Sequence, residues 1–174
     1  MREEHESVSP RGFTIFCEDI RNEVDGKHTL VGVVQGRVGF PNYPVILPKF
    51  CLYITYSQST ELPRQPVDLR IIFESTEGEE TLLISAVIDI EEGFKAAAQI
   101  PDNHLIAAQA NAILTPLQVG SPGRIKVRGF IDGHPPIRMG GVEFIIAEQG
   151  AADPDRIRFE VGDRVALRRP PELR

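Results

Sequence analysis

An antiparallel β-sandwich is the fold class this sequence predicts, and three observations predict it. Val, Ile and Leu dominate an apolar fraction of 41%, interrupted by 15 glycines and 14 prolines; β-branched residues punctuated by turn formers favour strands over helices. Apolar and polar residues alternate with period two in several segments, the pattern of a half-buried strand. Turn signals recur between those segments, among them Asp25-Gly26 and Asp132-Gly133. The length fits the class, since 174 residues suit one domain that buries roughly 70% of its unfolded surface without a metal or disulfide staple.

The elements follow in order. Residues 1–12 read as a flexible acidic leader. From Phe13, FTIFCE is a first strand that turns at Asp25-Gly26 into a second, HTLVGVV. A type I′ turn needs positive φ at both central residues, and Asp-Gly supplies it. Pro44 and Pro48 forbid a helix in the next stretch and place it at an edge or bulge. Beyond them Phe50, Leu52, Ile54 and Tyr56 alternate with Cys51, Tyr53 and Thr55. Val67, Leu69, Ile71 and Phe73 then share one face of a strand, with Asp68, Arg70 and Glu74 on the other. TLLISAVIDI is a further strand. The Ala-rich stretch after it has helix propensity, and Asp102 or Asn103 suits a cap, yet Pro101 and Pro116 bracket it closely. A strand is expected over Ala112 to Val119, with His104 to Ala110 left open. RIKVRGFID puts Ile125, Val127 and Ile131 on one face, and IRMGGVEFIIAE closes the domain near residue 149. Residues 150–174 form a C-terminal extension in which Ile157, Phe159 and Val161 alternate with polar residues. That spare strand can pair with an edge of its own sandwich or with another chain.

Eight or nine strands with little room for helix predict two packed antiparallel sheets. An Ig-like arrangement is expected, with a jelly roll as the alternative, because strand count alone does not give strand order. No internal repeat suggests a propeller or solenoid.

Charge narrows the function classes. A net charge of −6 opposes the positive field that phosphate contacts need, so nucleic acid is not an expected partner. The acidic start has no apolar core for a signal peptide, and no run reaches the about 18 apolar residues of a membrane span. No membrane partner is expected, and the cytoplasm is the default compartment. Cys17 and Cys51 lie inside apolar runs and read as buried free thiols. Two isolated cysteines are too few for a metal site.

The candidate polar cluster is Glu18, Asp19, Arg21, Glu23 and Lys27, in the first hairpin. On a strand, Glu18 and Asp19 leave opposite faces and cannot share one ion. Asp19 and Glu23 share a face but lie about 13 Å apart, beyond the about 5 to 9.5 Å of paired glycosidase carboxylates. Structural roles fit better: Glu18 or Asp19 bonding edge amides, or pairing with Arg21 or Lys27 across strands. His5, His28, His104 and His134 are scattered, without metal spacing. Gly120 to Gly123 holds Ser121 but no nucleophile elbow, since Pro122 sits where the oxyanion amide is needed. No phosphate-cradling glycine loop occurs. Arg124, Lys126 and Arg128 share one sheet face with Phe130, either as a solvated face paired with neighbouring acids or as a binding stripe.

The opening residues Cys17, Glu18 and Asp19, followed by Gly26-Lys27 and Thr29, Leu30, Gly32 and Val33, resemble an uncharacterised bacterial family known only as a domain of unknown function. The resemblance continues through VILPKFCLYITY and returns in PGRIKVRGFIDGHPPIRMGGVEFII, which is similar to the closing hairpin of Ig-like sandwiches. It covers Phe13 to Glu148 and implies a small intracellular β-sandwich with no known activity.

Two functions remain in view. The first is a non-catalytic binding or scaffold module with no cofactor. It engages a protein partner or a second copy of itself through Arg124, Lys126 and Arg128 or through Ile157, Phe159 and Val161. The alternative is a metal-dependent ligand-binding protein or hydrolytic enzyme that uses the acidic hairpin from Glu18 to Asp25.

Overall fold

The computed structural model describes residues 9–100, 102 and 104–147; the leader's first eight residues and the extension with Ile157, Phe159 and Val161 lie outside this range. Eleven strands, one short α-helix and one 3-10 turn (Val24–Gly26) are present among the described residues. One sheet has four strands: β1 (Arg11–Asn22), β2 (His28–Val34), β5 (Phe50–Ser59) and β8 (Leu105–Leu114), in the order β2-β1-β5-β8. The other has five: β3 (Arg37–Phe40), β6 (Val67–Ser75), β7 (Glu80–Ile88), β10 (Gly123–Phe130) and β11 (Ile137–Ile146), in the order β3-β11-β10-β6-β7. β4 (Val45–Leu47) and β9 (Leu117–Val119) pair separately. All pairings are antiparallel except β3 with β11.

The period-two pattern sets which face each strand buries. On β5, Phe50, Leu52, Ile54 and Tyr56 point inward, and on the other sheet Leu69, Ile71, Ile125, Val127, Val142 and Phe144 meet them in one core. Phe144 packs between the sheets, its ring centroid 5.8 Å from Phe50 and 6.4 Å from Phe73. Full burial of such side chains contributes about 1.5–3 kcal/mol each, so the alternation that predicts the strands is also what holds the sheets together.

Several expectations change in detail. The first turn has three residues: the Glu23 amide donates to the Lys27 carbonyl at 2.8 Å around Val24, Asp25 and Gly26. Asp25 and Gly26 both have positive φ, 68° and 72°, the conformation Asp-Gly tolerates. At Asp132-Gly133 only Gly133 does, because β10 and β11 are joined by a wider connection.

The Ala-rich region divides differently from the sequence reading. The helix α1 (Glu91–Ala97) forms before Pro101, where the Asp89 carboxylate accepts from the Glu91 amide at 2.9 Å. His104 lies just outside β8, which runs from Leu105 and pairs with β5 through all ten of its residues. Tertiary pairing overrides the local propensity of alanine here. The strand expected over Ala112 to Val119 is broken at Thr115-Pro116, since Pro116 has no amide for a ladder. Thr115 instead donates its hydroxyl to the Pro48 carbonyl at 2.9 Å. None of the described helices is long and apolar enough to cross a membrane.

Candidate functional site

The acids of the first hairpin take separate surroundings. Asp19 is ion-paired with Lys49, and with Arg21 at 3.3 Å. The β1–β5 register, Cys17 opposite Cys51, is what sets Lys49 across from Asp19. Hydrogen bonding to Lys49, then to Arg21, holds the Asp19 carboxyl below its ordinary range. Glu18 lies over Gly32 of β2, where a Cβ would come 2.6 Å from its carboxyl carbon; Gly32, at φ 64°, leaves the room it needs. Glu23 and Lys27 are exposed and joined through their backbones, so the pairing of an acid with Lys27 gives way to pairing with Lys49. No group of three or more His, Cys, Asp or Glu side chains with metal-binding geometry occurs among the described residues. His28 packs edge-on against Tyr53 at 5.7 Å.

Beside Asp19, Cys17 and Cys51 are free and fully buried. They form the centre of a row across four strands, Val33–Cys17–Cys51–Ile113. Burial, and then the charge of Cys51, push the Cys17 thiol up to about 11, with Lys49 opposing. Burial likewise raises the Cys51 thiol. Protonated, covered thiols are inert as nucleophiles.

The outer face of the five-stranded sheet is different. Arg124 and Lys126 are held by Glu74, and Lys126 also by Glu80 at 3.0 Å. This is the pairing with neighbouring acids that the sequence allows. Glu74 is lowered by hydrogen bonds from Arg124 and Lys126. Arg128 departs from this pattern. Its cross-strand neighbours are Arg70 on β6 and Arg138 on β11, so three arginines stand in a row on adjacent strands. Arg70 pairs with Asp68 at 2.8 Å and lies 4.5 Å over the Phe130 ring. Arg128 donates to the Val127 carbonyl at 3.0 Å, and neither it nor Arg138 has a carboxylate partner among the described residues. Burial, and then the charges of Arg138 and Arg124, lower the Arg128 pKa. Like charges directly opposite on a sheet are destabilising, so this row is a local cost of the fold.

Of these side chains, Arg124, Lys126, Arg128 and Arg138 line a groove of about 560 Å³ between β3, β11 and β10. Arg37, paired with Glu143 at 2.8 Å, lines it together with Arg128 and Arg138. Gly140 and Gly141 also line it. There the register between β10 and β11 shifts by one residue after Val127, and Gly140 has φ 140°. A bulge of this kind re-aims side chains. The sequence reading found Arg124, Lys126 and Arg128 but missed Arg138, Arg37 and Arg70. Gly140-Gly141 inside a strand pattern was the available signal for the bulge.

The profile of DUF6941, a family of unknown function, matches residues 12–140. The chain belongs to DUF6941. The match takes in β1, the dithiol row and the arginines at 70, 128 and 138, and so covers most of both outer faces of this DUF6941 domain. No curated protein and no solved structure matches the chain.

Proposed function

We propose that this DUF6941 protein is a non-catalytic cytoplasmic binding module that engages a protein partner through the outer face of its five-stranded sheet. The observation that carries this reading is the pair Arg128 and Arg138. Among the described residues, these two cations on adjacent strands face each other without a carboxylate partner, on a surface whose other cations are compensated. Uncompensated charge held at a cost to the fold is a mark of function over stability. A reducing compartment suits two free thiols that lie directly opposite each other. The strand order supports an Ig-like arrangement over a jelly roll, with β11, the last of the described strands, between parallel β3 and antiparallel β10.

A photo-crosslinking residue placed at Ser85, in the same row as Arg70, tests the reading in native extract. A discrete protein adduct is expected there and is lost when Arg138→Glu is added. The same residue placed at Thr29, on the other sheet, is expected to yield none. Adducts insensitive to Arg138→Glu, or formed equally from Thr29, would overturn it.

A further inference from the structure

One concavity, of about 640 Å³, is lined by Phe144, Ile145 and Ile146 among others, and its charged members Glu74, Arg124 and Glu143 are already paired with one another or with Arg37 and Lys126. The neighbouring arginine groove is where charge remains unspent. Its cations are spread over three adjacent strands, at steps of about 4.8 Å. A single small anion reaches only one or two of them, whereas an extended chain reaches the row. Guanidinium groups are planar forks that bind carboxylates bidentately.

We propose that this groove binds an extended acidic segment of a protein, with Arg128 and Arg138 taking its carboxylates. The inference rests on the reading of this sheet face as the docking surface, and it names what docks there. Carboxylates fit better than a nucleic acid. Single strands bind by stacking bases on free aromatics, and Phe130 on this face already carries the Arg70 guanidinium. The net charge of −6 also repels a long polyanion at a distance, while a short acidic segment is held by contact.

The probe is a fluorescein-labelled decapeptide of alternating Glu and Ser, titrated against the full chain by anisotropy. The neutral Gln-Ser decapeptide and a ten-nucleotide oligo-dT serve as comparisons. Saturable binding of the Glu-Ser peptide is expected, weakened by salt and absent for Gln-Ser. Arg128→Gln and Arg138→Gln are each expected to weaken it about tenfold, the factor one charge-assisted hydrogen bond carries. Arg21→Gln, on the opposite sheet, is expected to leave it unchanged. Arg138 is exposed, so its variant keeps the test alive if Arg128→Gln does not fold. Binding by both arginine variants as tight as by the unaltered chain, binding of Gln-Ser as tight as of Glu-Ser, or tighter binding of oligo-dT would overturn the inference. If the acidic peptide does not bind while the Ser85 crosslink still depends on Arg138, the inference falls and the docking surface stands; if both fail, both fall.

Discussion

On the outer face of the four-stranded sheet, Asp19 lies between Lys49 and Arg21, and the two thiols beside it are sealed from water. On the outer face of the five-stranded sheet, Glu74 compensates Arg124 and Lys126, but Arg128 faces Arg70 and Arg138 across both neighbouring strands. Both faces grow from the same alternation and share one core. What differs is whether the register brings opposite or like charges together. The first arrangement serves the fold, and the second works against it and so calls for something outside the fold.

The largest effect concerns what the faces share. Phe144→Ala removes a buried ring that touches both sheets. It is expected to cost about 3–5 kcal/mol, read as a lowered denaturant midpoint. A cost below about 1 kcal/mol would mean that the sheets do not depend on one core.

Cys17 sharpens the picture of the sealed face. Its thiol, raised from 9.0 to about 11, is expected to react with a disulfide reagent at pH 8 about a hundredfold more slowly in the native chain than after unfolding, from loss of thiolate alone. Native labelling at the unfolded rate would break it.

Acid titration probes the compensated pairs on both faces. Asp19 and Glu74 have folded pKa values below their ordinary 3.8 and 4.5. Their contribution is therefore complete above those values and is lost as pH falls through the lower, folded ones. The melting temperature is expected to drop below about pH 4.5, and less steeply in Asp19→Asn or Glu74→Gln. The smallest effect is of opposite sign: Arg138→Gln relieves like-charge crowding and is expected to raise stability by about 0.2–1 kcal/mol. A loss of stability would mean that Arg138 has a structural partner.

The sandwich was legible because its cause is local. Residues 50, 52, 54 and 56 on β5, and 125 and 127 on β10, announce their inward face by spacing alone. Lys49 opposite Asp19, and Arg138 opposite Arg128, were not legible, because register depends on turn lengths and on which strands become neighbours. The pairing of β1 with β5, which are not consecutive strands, and one bulge at Met139-Gly140 decide those partners. The Ala-rich β8 was ambiguous because its strand character comes from β5 and not from its own residues. Of the site, the sequence displayed the cations on β10 but not that one of them has no carboxylate partner among the described residues.

The most direct test is an amide chemical-shift map of the full chain during titration with the Glu-Ser decapeptide. Shifts concentrated at Arg37, Arg128, Arg138 and Gly140-Gly141, and reversed by salt, are the predicted result. Shifts centred on Asp19, Lys49 and Tyr53, or none at all at saturating peptide, would contradict it.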